Sequence, residues 1–120
     1  MASGLLVPEA LIASDRLADD GISARVADMF TWKPLDAELI ASCAAETGAI
    51  VTAENHQVAN GLGAAVAAAA AAASHPVPMG FVGVQNHFGE VGEMPFLREK
   101  FRLTAQQIVE TTLDTLERKR

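Results

Sequence analysis

At 120 residues, half of them apolar, the chain can bury one modest core and is too apolar to stay disordered. Nine Lys and Arg stand against fifteen Asp and Glu, and a net charge of −6 excludes nucleic acid and anionic membrane as expected partners. One cysteine, Cys43, excludes an intrachain disulfide and a cysteine-built zinc site.

No positive-then-apolar leader opens the chain, so a cytoplasmic protein forming a single domain over residues 1–120 is expected. Residues 7–20 predict a helix: Pro8 suits a first turn, Val7, Leu11, Leu17 and Ala18 recur near helical spacing, and Gly21 stops it. Residues 22–29, "ISARVADM", alternate apolar and polar side chains and predict a strand. Trp32 stands in the following loop, as core cover or as an interface anchor. Pro34 then fixes a turn and Asp36 caps a helix whose apolar stripe is Leu39, Ile40, Cys43 and Ala44; Gly48 ends it.

Residues 49–53, "AIVTA", form a short apolar run of the kind found in buried parallel strands. An alanine-rich helix follows. Its apolar span, residues 61–73, is well short of the roughly 20 residues that cross a bilayer. Lacking a large polar face, it is expected to lie buried against other protein. "HPVP" ends it, with His75 in a solvated turn, and residues 79–84, "MGFVGV", predict the next strand. After a glycine-rich loop, residues 95–101 predict a short helix. Thr104 opens the last helix with a capping box to Gln107, and Ile108, Val109, Leu113 and Leu116 are its expected buried face. Arg118, Lys119 and Arg120 close it as a solvated basic end that suits the helix dipole.

Helices and strands alternating at these lengths imply an α/β three-layer sandwich with a mostly parallel sheet. Such a fold opens with a strand. Here only "MAS" precedes Gly4, so a truncated first strand is expected.

The chemically suggestive stretch is residues 53–74, "AENHQVANGLGAAVAAAAAAAS". Gly61 and Gly63 lie between a strand and a helix, where dinucleotide folds seat a pyrophosphate. That fingerprint requires a third small residue where Val66 stands, and an acidic residue farther on that is not found. Close helix packing is therefore the expected role of the two glycines, with anion binding as the alternative.

Glu54 and His56, at a strand end, fall on one side by alternation, so a carboxylate could orient an imidazole. Ser74 and Cys43 offer no nucleophile linked to that pair, and a metal would need His87 brought across from the next strand end. Structural hydrogen bonding to loops or to a partner is the expected role. His87 and Glu90 are expected to approach His56 across the strand ends. Phe88 is expected as a plug beneath the loop, and Gly89 and Gly92 at unusual backbone angles. Glu54, His56, Gly61, Gly63, His87, Phe88, Gly89, Glu90 and Gly92 are thus the candidate ligand or interface residues. No catalytic, cofactor-binding or metal-binding residue is assigned.

Several of these stretches, "GISARVADMFTWKPLD", "ETGAIVTAENHQVANGLGAAVA", and "VGVQNHFGEVG" followed by "FRLTAQQIV", resemble in order and spacing the C-terminal domain of transketolases. They are most similar to the C-terminal portion of transketolases made as two subunits. The resemblance spans about residues 4–109. The family pattern has an apolar strand such as "TIIA" before residue 2, an acidic residue in place of Asn55, Asp-Arg in place of Asn86 and His87, and often Ser in place of Val91.

The resemblance implies a parent enzyme of pentose phosphate metabolism that moves a two-carbon ketol unit between sugar phosphates with thiamine diphosphate and a divalent metal. Both are held by upstream domains across a dimer interface. It implies for this chain a non-catalytic assembly role, no cofactor of its own, and upstream transketolase domains or a separate subunit as partner in a homo- or hetero-oligomer. A regulatory ligand site is also suggested for such domains. The alternative from the residues alone is a free-standing regulatory or anion-binding module at the strand ends.

Overall fold

A computed structural model describes residues 1–73 and 76–119; Ser74, the turn expected at His75, and Arg120 lie outside the described residues. Seven elements follow in order: α1 (Leu6–Asp19), α2 (Ala37–Thr47), β1 (Ile50–Gln57), α3 (Leu62–Ala72), β2 (Met79–Val84), α4 (Met94–Lys100) and α5 (Ala105–Lys119). Among the described residues no helix is long and apolar enough to cross a membrane.

β1 and β2 pair in parallel, with Ile50 opposite Met79 and Ala53 opposite Val82. Alternation along β1 feeds two cores. Ala53 and Val51 pack with Leu6, Ala10 and Ala13 of α1 and Ile108 of α5. Ile50 packs on the other side with Ile40 and Ala44 of α2 and Leu62, Val66 and Ala70 of α3. The result is a three-layer α/β unit, as the alternation of elements predicts.

Local signals set the helix ends. The Asp36 carboxylate accepts the Leu39 N–H at 2.9 Å, and Gly48, at φ 67°, ends α2 in the left-handed conformation. Thr104 Oγ1 accepts the Gln107 N–H at 3.3 Å at the start of α5. Leu113 is exposed rather than on the buried face. It lies five residues from Ile108, about 140° round an α-helix, and so points away from the sheet.

The expected strand over residues 22–29 is reduced to one bridge. Ala2 lies between Asp28 and Ala53, parallel to both. The Ala2 N–H donates to Ala27 O at 2.9 Å and Ala2 O accepts from Met29 N–H at 2.8 Å. Residues 22–29 pair only where Ala2 reaches them, because a strand exists only through its neighbour's backbone groups. Ala2 is therefore the short first strand, and it is interior.

β1 also runs past Ala53 to Gln57, with an irregularity between those two residues, so Glu54 and His56 lie within the strand rather than beyond it. The alanine helix α3 is not buried all round. Leu62, Gly63, Val66 and Ala70 face the core, while Ala64, Ala68, Ala71 and Ala72 are exposed. Packing on α2 and β1 covers only one side of it.

Candidate functional site

The carboxyl end of β1 meets the amino end of α3 at Glu54. This carboxylate is buried, at 1% exposure. Its Oε2 accepts the Leu62 N–H at 2.7 Å and its Oε1 accepts the Gly63 N–H at 2.8 Å. Helix starts leave amides without intrahelical partners, and the helix dipole favours negative charge there. One side chain meets both demands, so the α3 amino end carries the chain's own carboxylate where an external phosphate would otherwise bind.

The two glycines make room for this. A Cβ on Gly61 would stand 2.1 Å from Glu54 Oε2 and 2.5 Å from Gln57 O. A Cβ on Gly63 would stand 2.7 Å from Phe81 Cδ1 and 2.8 Å from Thr52 Oγ1. Both positions exclude any side chain on steric grounds. Thr52 Oγ1 is buried without a hydrogen-bond partner among the described residues.

His56 shares the side of Glu54, its Nδ1 being 4.0 Å from Glu54 Oε2. Its hydrogen bond is to Gln57 O, at 2.9 Å from Nδ1. A carbonyl only accepts, so Nδ1 is the donor in this bond. Trp32 meets the imidazole edge-on at 6.1 Å. Its indole N–H donates to Met29 O at 3.0 Å, and its ring packs on the core between β1, α2 and α3. Trp32 is core cover.

Across the strand ends, Gln57 Nε2 donates to the backbone carbonyl of His87. The imidazole of His87 tilts against Phe101, with ring centres 6.5 Å apart. Glu90 pairs with Lys100 at 2.6 Å. Among the described residues no three His, Cys, Asp or Glu side chains converge. Phe88 is 98% exposed and is no plug: the loop carries it clear of the core, and nothing lies within 4 Å of a Cβ on the adjacent Gly89. Gly89 and Gly92 do not adopt positive φ; in this loop Asn86 does, at 56°.

Two polar junctions escape the sequence patterns. Glu9 of α1 accepts the Ala105 N–H of α5 at 2.6 Å and pairs with Arg98 of α4. Lys119 Nζ donates to Thr47 O at 2.7 Å, closing the carboxyl end of α2, and Arg118 donates to Met79 O at 2.8 Å. The basic helix end is thus a set of internal caps. Glu9 in a first turn is visible in the sequence, but its partners lie some ninety positions away, beyond any periodicity.

Comparison with known proteins gives a consistent picture. The family described as transketolase, C-terminal domain, matches residues 1–108. The chain is 48% identical over 119 residues to the 6-deoxy-6-sulfo-D-fructose transketolase subunit SqwH of Clostridium sp. (strain MSTE9), covering 99% of this chain and 37% of that protein. It is 35% identical over 114 residues to one subunit of the apulose-4-phosphate transketolase of Phocaeicola vulgatus, covering 95% of this chain and 36% of that one. A solved structure, a split gene transketolase described as an inactive beta4 tetramer, superposes with a TM-score of 0.93 at 44% identity, over 99% of this chain and 39% of the other. The chain spans little more than a third of these relatives. With sequence match and fold in agreement over nearly all of its length, the chain belongs to the transketolase C-terminal domain family.

Proposed function

We propose that residues 1–120 form a single, non-catalytic assembly domain of a cytoplasmic, thiamine-diphosphate-dependent transketolase. In the complete enzyme, upstream domains or a separate subunit hold the thiamine diphosphate and its divalent metal, which supply the carbanion chemistry of ketol transfer between sugar phosphates.

The observation that carries this reading is the exposure of large apolar side chains in the segments that follow the strands. Phe30 is 85% exposed, Phe88 98% and Val91 103%, and Met94 and Phe96 are more than half exposed. Large side chains this exposed mark a surface made to be covered by other protein. Two observations support a chain with no cofactor of its own. The α3 amino end is occupied by Glu54, and among the described residues no carboxylate and histidine cluster could seat a metal.

The purified chain should show no ketol transfer in a coupled assay with thiamine diphosphate and magnesium. Activity should appear when the upstream subunit is added. Phe88→Asp and Val91→Asp together should weaken that association at least tenfold while leaving the circular dichroism of the chain unchanged. Turnover or micromolar thiamine diphosphate binding by the chain alone would overturn the reading.

A further inference from the structure

Residues of β2, of the loop after it and of the link between α4 and α5 line a cavity of about 310 Å³. That volume lies at the lower end of the range in which small molecules are bound. Phe81 of β2 and Phe101 at the end of α4 give the cavity an apolar wall, and His87, Lys100 and Arg102 give it a polar one.

The charge on this wall runs against that of the chain. Acids outnumber bases fifteen to nine overall, yet among the described residues no Asp or Glu lines the cavity. Two permanent cations stand there, with an imidazole as the third polar group. Carboxylates from off the wall hold them: Glu90 takes the Lys100 ammonium at 2.6 Å and Glu110 the Arg102 guanidinium at 2.7 Å. All four side chains are exposed, and ion pairs of that kind contribute little net stability. An anion in the cavity can therefore take over either cation at small cost.

The backbone at Arg102 points the same way. The Arg102 N–H donates to Glu99 O at 3.1 Å and the Leu103 N–H to Arg98 O at 2.8 Å. These bonds close α4 with residue 102 in the left-handed conformation, at φ 55°. Glycine takes that conformation without strain, as Gly48 does where it ends α2. An arginine thus stands where local folding favours glycine, and the side chain it brings lines the cavity.

We infer that this cavity binds a small phosphate monoester, with its dianionic head at Lys100 and Arg102 and its carbon part against Phe81 and Phe101. The guanidinium fork matches two phosphate oxygens, and the ammonium adds a point charge. The site is separate from the α3 amino end, where Glu54 already supplies the negative charge.

Titration calorimetry of the chain with phenyl phosphate and with inorganic phosphate tests this. Phenyl phosphate should bind about tenfold more tightly than inorganic phosphate, because only the ester buries an apolar group on the aromatic wall. Equal affinities would overturn the ester in favour of free phosphate, and no binding of either at millimolar concentration would overturn the site. Arg102→Gly removes the guanidinium and the backbone strain together. Affinity should then fall about tenfold, as for the loss of a charge-assisted hydrogen bond, while the melting temperature holds or rises. Lys100→Gln should also weaken binding, and Glu110→Gln, which releases Arg102 from its carboxylate, should tighten it. A phenyl phosphate affinity indifferent to all three changes would place the anion elsewhere and overturn the inference.

Discussion

Replacing Glu54 with glutamine would keep one acceptor for the α3 amides and turn an NH2 group toward the other, leaving a buried N–H facing a donor. An unsatisfied buried group costs about 1–3 kcal/mol, so the midpoint of urea unfolding should fall clearly for Glu54→Gln; an unchanged midpoint would show that the cap contributes nothing. The glycines make the complementary case. Gly61→Ala and Gly63→Ala each force a methyl group into contacts below 3 Å, an overpacking cost of about 1–3 kcal/mol. Gly89→Ala meets nothing within 4 Å and should be neutral within about 0.5 kcal/mol. His56→Ala, at an exposed ring, should cost less than either inner glycine change. Ranking these variants by thermal melting separates the tightly packed junction at residues 54–63 from the open loop at residues 86–93.

Between elements, a few polar side chains supplement the apolar packing of α1 on α5 and, for α4, largely stand in for it. α4 has no buried residue of its own, and Arg98 ties it to α1 through Glu9. The same carboxylate caps α5 by accepting the Ala105 N–H. Glu9→Ala should therefore loosen two elements at once. Losing the cap alone costs about 0.5–2 kcal/mol, and exchange should quicken in α4 and the first turn of α5 while β1 and β2 stay protected. Uniform quickening across the chain would instead indicate a global role. The basic end of α5 behaves likewise: Lys119 closes the α2 carbonyl end and Arg118 donates to the start of β2, while both residues stay exposed to solvent as expected.

Across the whole molecule the burial of Met1 beside the interior Ala2 ties stability to pH. In a chain whose first residue is Met1, burial lowers the α-amino group from 8.0 to about 6. The unfolded chain then binds more protons than the folded one between those values, so stability rises as pH goes from 6 to 8 and levels off above 8. A displacement of this size corresponds to about 2–3 kcal/mol. Nα-acetylation should flatten the profile, as read from denaturation midpoints across pH 5.5 to 8.5. A profile indifferent to acetylation would place the dependence on other groups.

The order of helices and strands, the α/β layering, the cap at Asp36, the stop at Gly48 and the capping residue Thr104 follow from the sequence by itself, because each rests on neighbours within a few positions. Tertiary structure decided what depends on distant partners. Residues 22–29 have the alternation of a strand, yet strand formation needs the backbone of an adjacent strand, and Ala2 supplies it at one point. Glu54 and the two glycines look alike in sequence whether they cradle a phosphate or a carboxylate. Only the return of α3 across the end of β1 delivers the Leu62 and Gly63 amides to Glu54 itself. The exposure of Phe88 and Val91 was equally hidden, because apolar composition fixes the tendency to be covered, while the path of the chain decides whether the covering is its own.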